Sequence, residues 1–250
     1  MQTASFIEIT EDHLLGGRVR LCQPAAGYRA AIDPVMLAAT VAAGAGDRVL
    51  DLGCGVGAAA LCLLSRLPEV RVTGVELQPE LARLARLNAE ANGRGGSFAV
   101  IEGSVAALPA GLGGFDHVMT NPPFHQAERG TAPSGSIKAT ANVEGEVDLV
   151  QWLKAAVRML RPKGQLAIIH RADRLADLLA ALRGRGVGAI RILPLWPRVG
   201  RPAGRVIVLA RKGSRAPLDL LPGLVLHGDD GGYTEAAEAV LRSAQGLAGP

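Results

Sequence analysis

From Asp33 onward, compact apolar runs alternate with longer stretches in which apolar residues recur every three or four positions. The compact runs are Arg48–Gly53 (RVLDLG), Arg71–Leu77 (RVTGVEL), Ser97–Gly103 (SFAVIEG), Phe115–Asn121 (FDHVMTN) and Gly164–His170 (GQLAIIH), and they read as strands. The wider spacing covers Asp33 to about Ala43, Ala58–Leu67, Pro79–Gly93 and Val147–Leu160, the period of helices with one buried face. Strands separated by helices of this length need crossover connections, which predicts a mostly parallel sheet covered on both faces. Ala189–Leu195 and Gly204–Arg211 follow each other without a helix, so they predict an antiparallel terminal pair. The expected fold is α/β: a doubly wound, mostly parallel seven-stranded sheet in a domain of residues 33–250. Residues 1–32, with a hairpin in HLLGGRVRLCQ, are expected to form a small N-terminal extension. Glu128–Glu146 has few apolar anchors and reads as a loop.

Composition narrows the class. Apolar residues make up 48% of 250, enough for a sizeable core. The longest apolar candidate, Pro34–Gly46, falls well short of the ~20 residues of a membrane span. The N-terminus lacks the basic-then-apolar pattern of a signal peptide. Cys22, Cys54 and Cys62 form no CxxC pair, so neither a disulfide framework nor a metal site is expected, and a cytoplasmic address fits. Net charge is only +4, yet Gln151–Arg215 holds twelve Arg and three Lys against Asp173 and Asp177, a surplus of +13. That asymmetry fits a surface facing a polyanion; it equally fits an Arg-rich genome that charges solvated helix faces with Arg.

The first strand turns into its helix through Asp51-Leu52-Gly53-Cys54-Gly55-Val56-Gly57. Glycines there let the chain turn sharply and let a ligand approach the backbone. Alone, such a turn also serves as a tight connection. The G-x-G-x-G spacing differs from the G-x-G-x-x-G of dinucleotide binders, which disfavours nicotinamide or flavin. Glu76 ends the second strand, 23 residues beyond Gly53, where a carboxylate can accept both ribose hydroxyls.

Asp51-Leu52-Gly53-Cys54-Gly55-x-Gly57 followed by Glu76 resembles the cofactor site of class I methyltransferases, whose sheet is Rossmann-like. The resemblance implies S-adenosyl-L-methionine as cofactor, with the glycine loop beneath its methionine part and the acid on its ribose. It also implies an adenine contact at Glu102-Gly103-Ser104, where Ser104 stands in place of the commoner Asp. The implied cofactor set is Asp51, Gly53, Cys54, Gly55, Gly57, Glu76, Leu77, Gly103, Ser104 and Asn121.

The fourth strand runs straight into Asn121-Pro122-Pro123-Phe124. A rigid turn would explain the prolines, since both fix φ. Beside a cofactor turn the residue types also suit a reaction. The amine of a base is a poor nucleophile because its lone pair is delocalised into the ring. The Asn121 side-chain carbonyl and the Pro122 backbone carbonyl can accept its two hydrogens and aim the lone pair, while Phe124 offers a flat face to the flipped base. The tetrapeptide is similar to the N-P-P-[FYW] signature of methyltransferases that modify adenine N6, guanine N2 or a protein glutamine. Asn121, Pro122 and Phe124 are thus the expected catalytic residues, and no metal is called for.

QPAAGYRAAIDPVMLAA (Gln23–Ala39) resembles the segment before the cofactor domain in bacterial tRNA1(Val) adenine-37 N6-methyltransferases. Gln23, Gly27, Tyr28, Arg29, Asp33, Leu37 and Ala38 match, Met36 replaces the commoner Leu, and Arg201–Gly213 and Leu221–Leu241 also look similar. This implies tRNA, or another structured RNA, as partner, with Pro123, Tyr28, Arg29 and Asp33 on the substrate side. An amphipathic core helix would also explain IDPVMLAA. NPPFH is equally the form found in rRNA guanine-N2 enzymes, so that substrate and a protein glutamine stay open, as does a non-catalytic nucleotide-binding or RNA-binding module.

Overall fold

The structure is a computed structural model and describes residues 8–27, 29–123 and 147–247. A hairpin of β1 (Ile9–Leu14) and β2 (Val19–Pro24) leads into α1 (Ile32–Ala39). Then come β3 (Arg48–Leu52), α2 (Ala58–Arg66), β4 (Arg71–Glu76), α3 (Pro79–Ala91), β5 (Phe98–Glu102) and β6 (Phe115–Thr120). After residue 146 follow α4 (Leu149–Met159), β7 (Leu160–Arg171), α5 (Leu175–Leu182), β8 (Val187–Trp196) and β9 (Arg205–Lys212). The two-residue strands β10 (Asp219–Leu220) and β11 (Leu224–Val225) and the helix α6 (Glu235–Leu241) close the chain.

The main sheet has the order β10-β8-β9-β7-β6-β3-β4-β5, with β11 also pairing β8. Strands β3 to β7 are mutually parallel where they pair, and β9 runs antiparallel to both β7 and β8. This is the doubly wound, mostly parallel Rossmann-like sheet expected, with its antiparallel terminal pair, but it has nine strands among the described residues rather than seven, because the two-residue β10 and β11 add to β8. Strand residues alternate between two apolar layers: Val49, Val72, Met119, Ile169 and Ile207 face one, and Leu50, Val75, Val118, Ile168 and Val208 the other. The first layer packs under α1, α2, α3 and α6, the second under α4 and α5. Burial on both faces is why these strands read as continuous apolar runs rather than as alternating ones.

Three features depart from the sequence expectations. Strand β7 is twelve residues long, not seven, because it begins at the buried Leu160, which pairs with Phe115 across a register shift in β6. Helix α5 and the short strands β10 and β11, which pair in parallel with β8, had no expectation of their own. The hairpin, meanwhile, is bolted to α3 by two asparagines. Asn88 accepts the Cys22 N–H at 2.8 Å and donates to the Cys22 carbonyl at 2.9 Å; Asn92 does the same for Arg20 at 2.9 and 2.7 Å. Each carboxamide thus completes a ladder position that no neighbouring strand fills.

Among the described residues, no helix is long and apolar enough to cross a membrane, and no group of three or more His, Cys, Asp or Glu could hold a metal ion.

Candidate active site

Register brings the site together. Leu52 pairs with both Val75 and Thr120, and Glu76 pairs with Glu102. The carboxyl edge of the sheet therefore presents Glu102, Glu76, Gly53 and Asn121 in one row, on adjacent strands about 4.8 Å apart. Ligands of open α/β sheets bind outside this edge.

The glycine turn is built from backbone. Gly53 and Cys54 N–H both donate to the Val75 carbonyl, at 2.9 and 3.0 Å, so the turn folds over the end of β4. Gly53, Gly55 and Gly57 have φ of 76°, 54° and 85°, a region that side chains disfavour. At Gly53 a Cβ would also come within 2.8 Å of the Trp152 ring. The Cys54 side chain points back toward the sheet, against Gly74, and burial holds its thiol well above the usual range. Cys54 therefore offers the edge its backbone, not its sulfur.

Two carboxyl groups flank the turn. Asp51 is 2% exposed, takes a hydrogen bond from the Ala60 backbone N–H in the first turn of α2, and is pushed up to about 7, first by burial and then by the nearby Glu76. Its Oδ2 is buried and has no hydrogen-bond partner among the described residues. Glu76 is also buried, and its two oxygens accept the Gly55 and Gln78 N–H groups at 2.8 and 2.9 Å. Leu77, just beyond it, is 42% exposed. At the next strand end a Cβ on Gly103 would meet nothing within 4 Å, while Ser104 Oγ accepts the Ala106 N–H at 3.2 Å and so caps a short turn.

Asn121 is half-buried and Pro122 buried at the end of β6, with Pro123 half-buried beyond them. The residue just before them is fully buried and anchors the strand end. Thr120 Oγ1 donates to the Leu52 carbonyl at 2.7 Å and accepts the Trp152 indole N–H at 2.9 Å. Trp152, on α4, thus sits under both the glycine turn and the Asn121 strand. The sequence reading assigned neither Thr120 nor Trp152; a Thr at the last strand position before N-P-P was the only local signal.

The substrate-side expectations are distributed unevenly. Tyr28 and Phe124 lie outside the described residues. Asp33, at the start of α1, is 9% exposed and accepts from Arg205 Nε at 2.8 Å; Arg29 donates to Asp12 at 2.6 Å. Both line a cavity of about 340 Å3 on the carboxyl edge, beside rather than over the glycine turn. His170, near the end of β7, is buried and pushed down to about 4, chiefly by desolvation, so it is neutral at pH 7.

The basic stretch is split between the two ends of the sheet. Arg171, Arg174, Arg198, Arg201 and Arg205 lie at or beyond the carboxyl edge, while Arg161, Lys163, Arg211 and Lys212 lie at the opposite edge. Several do structural work: Lys212 Nζ donates to the Val157 and Leu160 carbonyls at the end of α4, and Arg185 closes the end of α5 through the Ala181 carbonyl.

The family model of the methyltransferase small domain matches residues 31–182. The tRNA1(Val) (adenine(37)-N6)-methyltransferase of Porphyromonas gingivalis is 33% identical over 164 residues, 62% of this chain and only 64% of that protein. The protein of the same name from Aeromonas hydrophila is 29% identical over 204 residues, 81% of this chain and 84% of the relative. Among solved structures, a protein of Agrobacterium tumefaciens described as a predicted O-methyltransferase superposes with a TM-score of 0.72 at 28% identity, covering 86% of this chain and 98% of its own.

Proposed function

The chain belongs to the methyltransferase small domain family, and on that premise we propose that it is an S-adenosylmethionine-dependent N-methyltransferase acting on adenine N6 of a tRNA, in the cytoplasm. The observation that carries this reading is the pairing of Leu52 with Thr120, which sets the glycine turn and Asn121-Pro122 side by side on one edge.

The residues present suit the cofactor, which is cationic at sulfur and at its ammonium group. Asp51 and Glu76 are two buried carboxyl groups beside the turn, and Asp51 Oδ2 is without a hydrogen-bond partner among the described residues. Glu76 would take the ribose, the exposed Leu77 would lie against the adenine, and Gly55 leaves open space where a side chain would otherwise stand. Gly53, Gly57, Cys54, Gly103 and Ser104 would complete that wall through backbone and hydroxyl groups. When bound, the cofactor supplies a methyl carbon whose bond to sulfur breaks, the electron pair leaving with sulfur, as the amine nitrogen bonds to carbon.

Asn121 and Pro122 act on the amine. Their two carbonyl oxygens would accept its hydrogens, turn the lone pair out of the ring system and stabilise the positive charge that develops on nitrogen. Pro122 and Pro123 stiffen the backbone that presents them. The methylated amine then gives its extra proton to water, so no poised general base is required. Tyr28, Arg29, Asp33 and Phe124 belong to the substrate side in this reading.

Support for tRNA as substrate comes from the Gln23–Ala39 lead and from the relatives' names. Transfer of tritiated methyl groups to total tRNA from a strain lacking the gene, followed by nucleoside analysis, tests it. N6-methyladenosine is the expected product. N2-methylguanosine in rRNA, or label in protein that resists ribonuclease, would replace this substrate with another; cofactor binding without transfer to any pool would replace the enzyme with a binding module.

A further inference from the structure

The cavity of about 340 Å3 opens between the start of α1, the end of β8 and the start of β9. Ile32, Leu195, Pro197 and Leu226 give it apolar walls, and Arg29, Asp33 and Arg205 supply its polar groups. Mostly apolar lining with a few fixed polar groups, at the small end of about 300–1,000 Å3, is the character of a site for a small organic moiety.

Charge decides which moiety. Arg205 Nε donates to Asp33 at 2.8 Å, and Arg29 donates to Asp12 at 2.6 Å, so each guanidinium is balanced by a carboxylate. A phosphate needs surplus positive charge; this cavity suits a neutral, flat, hydrogen-bonding group. A second bond, from Arg205 Nη1 to the Gly204 carbonyl at 3.2 Å, fixes the plane of that guanidinium, and 36% of the side chain stays exposed. A held guanidinium plane is a platform on which an unstacked nucleobase can lie. Surplus charge lies just outside, on the loop between β8 and β9, where Arg198 and Arg201 are exposed and form no ion pair with any described residue.

Position fits a neighbour of the target base. Strand β9 lies two places from β6 in the sheet, so Arg205 stands about 10 Å along the edge from Asn121 at the usual strand spacing. That is the reach of about one or two extended nucleotides, and enzymes that work on flipped bases choose their sequence context through such flanking residues.

We propose that this cavity is a flanking-base subsite: it receives an unstacked nucleobase beside the target adenine and stacks it on Arg205, while Arg198 and Arg201 meet the adjoining phosphates. The inference rests on the RNA-methylation reading above.

Gly204→Trp is the test. A Cβ there meets nothing within 4 Å, its φ lies outside the left-handed region, and its backbone bonds to Leu195 and Ala172 do not involve a side chain. The variant should bind cofactor as the parent does but show a KM for total tRNA raised about tenfold or more, the scale of one lost stacking contact. Arg205→Lys, which keeps the charge and loses the plane, should raise KM in the same direction. A parental KM in Gly204→Trp overturns the subsite. Binding of the trinucleotide ApApA, followed by calorimetry, separates this from failure of the parent reading because it needs no turnover. The parent should bind ApApA about tenfold more tightly than adenosine monophosphate, and Gly204→Trp should lose that advantage. Equal binding of ApApA by parent and variant also overturns the proposal, whatever the chain methylates.

Discussion

Trp152 Nε1 donates a hydrogen bond to Thr120 Oγ1 at 2.9 Å, and the same hydroxyl donates to the Leu52 carbonyl at 2.7 Å. One buried hydroxyl therefore ties α4, the end of β6 and the end of β3 into a single unit. Gly53 and Asn121, which in the proposed function meet the cofactor and the amine, follow directly from the residues so tied.

Thr120→Val keeps the shape and deletes both bonds, taking from the buried Trp152 indole N–H its acceptor. It should cost about 1–3 kcal/mol of stability in denaturant titration. Thr120→Ser restores the hydroxyl and should recover most of that loss. A stable Thr120→Val beside a destabilised Thr120→Ser would show that the methyl group, not the hydroxyl, holds the strand ends together.

In the proposed function, Asn121→Ala removes a positioned acceptor from the nucleophile and leaves the glycine turn alone. Cofactor affinity, measured by calorimetry, should stay within about twofold, while kcat falls by about 10²-fold or more. A variant with weak cofactor binding and intact turnover would take Asn121 out of its proposed role.

Local chemistry made much of this legible in the sequence. The strands are buried on both faces, so their apolar runs stood out, and Gly53, Gly55 and Gly57 marked a turn with the φ values that it indeed adopts. What stayed hidden depends on contacts between distant residues. Trp152 looked like any apolar position on an amphipathic helix, because its partner lies 32 residues away. Asp33 looked available to a ligand, yet its partner Arg205 comes 172 residues later. The basic surplus read as one surface, but the sheet carries its residues to opposite edges and uses some of them to close helix ends. Strands of two residues, such as β10 and β11, are too short to carry a period at all.

Asn88 holds the hairpin to the turn as well as to α3, since its Nδ2 also donates to the Val56 carbonyl at 3.0 Å. Asn88→Ala would strand several backbone groups in a buried place and should cost about 3 kcal/mol, with the hairpin becoming the first site cut in limited proteolysis. Asn92→Ala, half-buried and one turn further out, should cost about 1 kcal/mol. Should the two variants cost the same, the clamp would not be centred on Asn88.

If Asp51 holds the cofactor as proposed, binding should depend on pH. Its carboxyl titrates near 7 in the folded chain and near 3.8 as an unperturbed group, so between those values the folded state keeps a proton that the unfolded chain has lost. This group's contribution to stability is therefore full at low pH, declines as pH rises through that window, and is flat above about 7. A cationic ligand beside Asp51 favours the ionised form, so affinity should move the opposite way, rising about tenfold from pH 5.5 to 7.5 and levelling off above. Asp51→Asn cannot titrate, and its affinity should be nearly level over the same range. Calorimetry of both proteins with S-adenosylmethionine across that range checks this; parallel slopes for parent and variant would place the titrating group elsewhere and leave the buried Oδ2 of Asp51 without a part in holding the cofactor.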